Sequence, residues 1–125
     1  VRRLVDAGVW IDHLRRGNAE IVRLLNDGLV LVHPFVVGEL ALGSLRNRDD
    51  VLRSLRALDA ALVATPEEVE RLVEARRFWG RGVGYVDAAL LASAMITPDC
   101  ALTTDDRRLF EVAAELGVAA RDAAT

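Results

Sequence analysis

Five acidic residues of this 125-residue chain stand where an ordinary solvated charge is not expected. Asp6 follows the apolar pair Leu4-Val5. Glu39 has Phe35, Val36, Leu42 and Gly43 three and four positions away, so a helix there turns its carboxylate toward an inward face. Asp87 is the only charged residue between Val83 and Pro98, at the mouth of a segment that is apolar or small on every face. Asp105 and Asp106 close the run Cys100-Ala101-Leu102-Thr103-Thr104. Like charges brought into one pocket repel and raise each other's pKa unless a cation compensates. Carboxylates with no Lys, His or Cys beside them suit a hard ion such as Mg²⁺ or Mn²⁺. The chemistry that needs such a cluster is metal-assisted phosphodiester hydrolysis, in which ions orient water and stabilise charge on the phosphate oxygens.

What the chain lacks narrows the alternatives. All sixteen basic residues are Arg, so there is no P-loop lysine, Schiff-base lysine or lysine general base. Response-regulator receivers and haloacid-dehalogenase-type phosphatases, which pair an early Asp with a Lys, are disfavoured for the same reason. His13 and His33 are the only histidines and form no H-E-x-x-H site. Ser44, Ser54 and Ser93 sit in no nucleophile elbow. Cys100 is alone, which excludes an internal disulfide or a zinc cluster of cysteines. Gly80-Arg81-Gly82-Val83-Gly84 resembles a phosphate loop only loosely, with no Lys after it. The net charge of −3 argues against a general DNA-coating protein, though clustered Arg leaves room for a nucleic-acid partner.

The elements that must position these acids are legible as an α/β alternation. Leu4-Val5 reads as a strand, and Val9-Trp10-Ile11 opens a helix to about Arg15. Asn18 caps a helix through Asn26. Leu29 to Val32 is a buried strand, and Pro34 opens a helix from Phe35 to about Leu45. Asp49 or Asp50 caps the next helix. Thr65-Pro66-Glu67-Glu68 is a capping box for a helix ending near Trp79. Cys100 to Thr104 is a strand, a helix follows from about Asp106 to Leu116, and Val118-Ala119-Ala120 is a candidate last strand. The alternation predicts a parallel sheet, and groups past the strand ends line its crevice. Residues 1–125 are expected to form one domain, and 52% hydrophobic residues are enough for a real core. No run of 18 apolar residues and no signal peptide are visible, so a cytoplasmic protein with no membrane partner is expected.

Each acid also has a plainer reading. Asp6 and Asp87 can be helix caps, and Glu39 can pair with an Arg. One of Asp105 and Asp106 must cap the last helix. Counting back from the stripe Leu109-Phe110 and Val112-Ala113, Asp106 is the expected pocket residue and Asp105 the expected cap. Glu67, Glu68, Glu70, Glu74 and Asp12 are expected on solvated helix faces.

Taken in order, L-V-D-A-G-V-W-I-D-H-L (4–14), G-E-L (38–40), Y-V-D-A-A-L-L-A (85–92) and T-x-D-x-x-L (104–109) resemble a PIN-domain ribonuclease, most closely a VapC-type toxin of a toxin–antitoxin pair. The resemblance implies a three-layer α/β/α fold with a parallel sheet of order 3-2-1-4-5. It implies a Mg²⁺- or Mn²⁺-dependent endoribonuclease acting on tRNA or ribosomal RNA, a VapB-type antitoxin and a homodimer. Matched by position, the acidic set that would hold metal and catalyse is Asp6, Glu39, Asp87 and Asp106. Two positions depart from the family pattern. Ala7-Gly8 stand where a hydroxyl pair is usual, and Asp105 stands where a basic residue is often found. Loss of a hydroxyl beside a metal-binding carboxylate can cost roughly 10–100-fold in affinity or activity. The departure leaves a second expectation open, a catalytically weakened PIN-like module that binds RNA or an antitoxin with little turnover.

Overall fold

The computed structural model describes residues 1–120. Leu4 and Val5 are wholly buried, as the central strand of a sheet covered on both faces must be. This strand, β1 (Arg2–Val5), pairs in parallel with β2 (Val30–Val32) on one side and with β4 (Cys100–Thr103) on the other. A two-residue strand, β3 (Asp59–Ala60), extends β2, which makes the order β3-β2-β1-β4. The expected order 3-2-1-4-5 is therefore met through its first four strands. In place of a fifth strand at Val118-Ala119-Ala120, the described residues make one parallel bridge, Leu102 to Ala119. The Leu102 amide donates to Val118 O (2.7 Å) and the Ala120 amide to Leu102 O (2.9 Å), which is all the pairing so short a run provides.

Among the described residues seven helices flank the sheet: α1 (Ala7–Arg16), α2 (Ala19–Asn26), α3 (Pro34–Ala41), α4 (Arg48–Arg56), α5 (Pro66–Arg76), α6 (Tyr85–Ile96) and α7 (Arg107–Glu115). Helices α6 and α7 pack on β4, α1 on α3 and α5 on α6. Local chemistry explains most of their ends. Asn18 Oδ1 accepts from the amides of Glu20 and Ile21 at the start of α2. Thr65 and Glu68 exchange side-chain bonds to each other's amides, with Pro66 in the first turn of α5. Asp49 and Asp50 do not cap α4. Both lie in its first turn, where their charge suits the helix dipole, while Asn47 precedes it in a left-handed conformation without a side-chain bond. Helices α3 and α5 stop earlier than expected, at Ala41 and Arg76. In α6, Ala88 to Ala94 are buried, but Met95 and Ile96 emerge into solvent.

One buried polar node ties three of these segments together. His33 caps α3, its Nδ1 accepting from the Phe35 amide at 3.0 Å. The ring proton must then sit on Nε2, which donates to Ser93 Oγ of α6 at 3.0 Å. The same Ser93 oxygen accepts from the Ala64 amide at 3.0 Å. His33 and Ser93 have no exposed surface. In the sequence His33 is visible only as a histidine that belongs to no H-E-x-x-H site, and this role depends on partners far along the chain. Burial lowers the imidazole pKa from its ordinary 6.5, because a second ring proton would be desolvated and would face the Phe35 N–H.

A folded pKa below the unfolded one means that the unfolded chain takes up the proton first. The node's contribution is therefore complete above about pH 6.5 and is lost as pH falls from there toward the folded value. Urea midpoints of the parent and of His33→Asn, which keeps a helix-capping oxygen, should converge between pH 7.5 and 5.5. A gap that stays constant over that range would show that His33 does not titrate against folding.

Candidate active site at the carboxyl edge of the sheet

In this topology β1 connects to β2 on one side, while its other neighbour, β4, comes from the far end of the chain. The point where a parallel sheet reverses its winding opens a crevice beyond the strand ends. Asp6 follows β1 there and Thr104 follows β4. Helix α6 leads into β4, so it runs back across the sheet and begins at this same edge with Asp87 in its first turn. Helix α3 leaves β2 at this edge and carries Glu39.

Asp6 is the most tightly held of the acids. Its amide donates to Thr103 O (2.9 Å), its Oδ1 accepts from the Ala7 amide (2.8 Å) and its Oδ2 accepts from Thr104 Oγ1 (2.8 Å). It is thus both the cap of α1, which starts at Ala7 rather than Val9, and a pocket residue. The Thr104 oxygen in turn accepts from the Asp106 amide at 3.1 Å. Thr104 is the functional side chain that the sequence reading did not single out. Ala7-Gly8 offer no hydroxyl, yet Asp6 receives one from the opposite end of the chain. The T-x-D spacing at a strand end was the signal for it.

Asp87 is partly buried and its Oδ2 accepts from the Gly84 amide at 3.1 Å, closing the first turn of α6. Its pKa is nevertheless raised: burial is the largest cause, the Gly84 bond opposes it, and the negative charges of Asp6 and Asp106 add smaller upward pushes. Glu39 corrects one expectation. The residue is exposed, because Phe35, Gly38 and Leu42 on its side of α3 also open to solvent. Its carboxyl still sits above the usual range, through partial loss of hydration and then the charges of Asp6 and Asp87. No Arg is among the causes, and among the described residues Glu39 makes no ion pair.

The structure therefore brings Asp6, Glu39 and Asp87 into one electrostatic field and sets Asp106 beside Asp87. The division of labour between Asp105 and Asp106 differs from the expected one. Asp106 is the cap of α7, its Oδ1 accepting from the amides of Arg108 (2.9 Å) and Leu109 (3.2 Å). Asp105 is exposed and caps nothing. One residue serves both ends because capping occupies one oxygen, while the negative charge acts on Asp87 through space. Asp12 pairs with Arg16 on α1, as a surface residue should. His13 accepts from the Asn18 amide and takes no part in the pocket.

The donors fit a hard divalent cation in type and charge: oxygen ligands, mutual repulsion and, among the described residues, no Arg that offsets Glu39 or Asp87. Among the described residues no group of three His, Cys, Asp or Glu side chains is closed enough to hold an ion as it stands. Among the described residues Glu39 and Asp87 Oδ1 make no hydrogen bond that would prevent them from turning toward one.

A sheet of this order with acids at its switch point defines an α/β domain built around a carboxylate pocket. The PIN domain signature matches residues 3–115, and the chain belongs to that family. It is similar to the protein named Ribonuclease VapC32 in two strains of Mycobacterium tuberculosis, CDC 1551 / Oshkosh and H37Rv. In both, 51% of 116 aligned residues are identical, spanning 93% of this chain and 94% of theirs.

Two stability measurements test this account. Glu39 and Asp87 have folded pKa values above their ordinary 4.5 and 3.8, so their ionisation removes stability as pH rises through that interval. Metal-free Glu39→Gln should therefore melt higher than the parent near pH 7.5 and level with it near pH 4. A lower melting point near pH 7.5 would mean that Glu39 has a stabilising partner. At α7, Asp106→Ala should lose about 1 kcal/mol of unfolding free energy, while Asp106→Asn and Asp105→Ala lose little, since Asn caps as well as Asp. Equal losses for Asp105→Ala and Asp106→Ala would contradict the capping assignment.

Proposed function

We propose that this chain is a metal-dependent endoribonuclease, the toxin of a toxin–antitoxin pair. The observation that carries the reading is the uncompensated charge shared by Asp6, Glu39 and Asp87 at the switch point. Such an arrangement costs folding stability and has a use only when a cation completes it. Similarity to a protein named a ribonuclease, along nearly the whole of both chains, supports RNA as the substrate. Asp6, Glu39, Asp87 and Asp106 are the residues that would hold Mg²⁺ or Mn²⁺. When bound, the ion supplies Lewis-acid stabilisation of phosphate charge and acidifies a water. Asp6, fixed by three hydrogen bonds, sets the position of the pocket. Thr104 orients the Asp6 carboxylate. Glu39 and Asp87, with raised pKa values, are the groups best suited to accept a proton at the pocket.

The same reading includes tRNA or ribosomal RNA as substrate, a VapB-type antitoxin, a homodimer, a cytoplasmic location and a single domain. Among the described residues no helix is long and apolar enough to cross a membrane. The weakened-module alternative rests on Ala7-Gly8. The hydroxyl that Thr104 gives to Asp6 supports the enzyme over that alternative.

Purified protein should cut structured RNA with Mn²⁺ or Mg²⁺ and stop with EDTA. Millimolar Mn²⁺ should raise the melting temperature more near pH 7.5 than near pH 5. At a hundredfold excess over the dissociation constant this corresponds to about 2.7 kcal/mol. Thr104→Ala should cost roughly 10–100-fold in metal affinity and cleavage, with Thr104→Ser restoring most of it. Cleavage that survives EDTA, or Asp87→Asn as active as the parent, would defeat the metal-dependent reading.

A further inference from the structure

The carboxylate pocket repels the phosphodiester that it would cut, and no arginine lies among the groups that offset the charge of Glu39 or Asp87. With a cation needed for the scissile phosphate, the phosphates beside it require cationic side chains at the rim of the pocket. One loop near the pocket holds a cation against a fitted surface. The loop between α5 and α6 is fastened to α7 in two places. Arg81 Nη1 pairs with Glu115 Oε2 at 2.8 Å, which spends that guanidinium on the fold. Next to it, Gly82 lies directly under the side chain of Arg108. A Cβ built on Gly82 would fall 2.6 Å from Arg108 Cδ and 2.7 Å from its Nη1, closer than atoms approach without displacement. Gly82 has φ 77°, so glycine is favoured there on conformational grounds as well.

The notch matters because of where it lies. Gly82 is two residues from Gly84, whose amide bonds Asp87, and two residues span at most about 7 Å. At its other end, Arg108 is two residues beyond Asp106, whose Oδ1 accepts from the Arg108 amide. The guanidinium thus lies between the loop that leads into α6 and the first turn of α7, and it donates no hydrogen bond to Asp87 or Asp106. It is exposed, and among the described residues it has no partner. A long cationic side chain with its stem seated on a glycine loses less freedom when it binds than one moving freely in solvent. Its planar fork matches two oxygens of one phosphate.

We propose that Arg108, seated over Gly82, binds a backbone phosphate of the RNA next to the scissile one and so sets the strand against Asp87. This rests on the ribonuclease reading given above. The proposal concerns binding, so its mark is on KM and on salt dependence rather than on kcat. Arg108→Gln should raise KM for a structured RNA roughly ten- to hundredfold, the worth of one charge-assisted contact, with kcat nearly unchanged. It should also reduce the slope of log(kcat/KM) against log[salt] by about 0.7–0.9, one phosphate contact. Arg15→Gln, the same change of charge at the far end of α1, should alter neither. Gly82→Ala should raise KM in the parent and add nothing in the Arg108→Gln background, because the glycine acts only through the arginine. Unchanged KM and slope in Arg108→Gln, equal shifts in Arg15→Gln, or an undiminished Gly82→Ala effect without Arg108 would each overturn the proposal. If the parent cuts no RNA with either cation, the ribonuclease reading fails and this proposal with it. A parent that cuts RNA beside an unaltered Arg108→Gln overturns the proposal alone.

Discussion

Mutual repulsion among carboxylates at one end of a parallel sheet is the constraint around which this molecule is built. The charges of Asp6 and Asp87 make Glu39 harder to ionise, those of Asp6 and Asp106 do the same to Asp87, and no arginine is among the groups that relieve either. Something else must hold them in place. Leu4, Val5, Leu31, Leu90, Leu91 and Leu102 are almost or entirely without exposed surface and lie in the strands and the helix that carry the acids or lead to them. A fully buried Leu or Val contributes about 1.5–3 kcal/mol, and the repulsion is set against several of these. Hydrogen bonding does the finer work. Each of Asp6, Asp87 and Asp106 uses a carboxylate oxygen on the first turn of a helix. The bonds that start those helices also orient the acids.

That double use explains what could be read from residues alone and what could not. Strands made of apolar runs and helices opened by Asn18, Pro34 or Thr65 declare themselves, because the cause lies within three or four neighbouring residues. The same holds for the positions of Asp6, Glu39, Asp87 and Asp106 along the chain. What depends on distant partners does not show. Strand β3 has only Asp59 and Ala60, both exposed, and exists because the edge of β2 offers it hydrogen bonds. His33 looks like a punctuation mark before Pro34 until Ser93 and Ala64 are brought to it. Glu39 was expected to face inward because its spacing matches apolar neighbours, but some of those neighbours are themselves exposed, and spacing cannot say which side of a helix meets the core. Asp105 and Asp106 compete for one cap, and only the backbone geometry at Arg108 and Leu109 decides between them.

The departure at Ala7-Gly8 reads differently once the sheet is closed. Helix α1 begins at Ala7, directly after Asp6, and Ala7 is buried. A hydroxyl group there would need a partner inside the helix packing, while Thr104 sits at the strand end with both of its hydrogen-bonding capacities used. The hydroxyl beside Asp6 thus comes from the other strand of the same switch point, and the carboxylate is oriented without one on its own helix. His33 acts on a larger scale in the same way: it joins the start of α3 to α6, and so links the helix of Glu39 to the helix of Asp87.

The bond from Thr104 to Asp6 closes across 98 positions of the chain, and β1 has no β4 to pair with until those residues exist. During synthesis the amino-terminal half can make β1, β2 and their helices, but Asp6 then has neither its strand neighbour nor its hydroxyl. The acids come into register only when β4 and Thr104 have emerged from the ribosome. Fragments cut short by stalling or by a premature stop before β4 leave the pocket open on one side and hold Asp6 by its helix cap alone. The order of translation thus acts as a timer: the carboxylate edge closes only after β4 has been made.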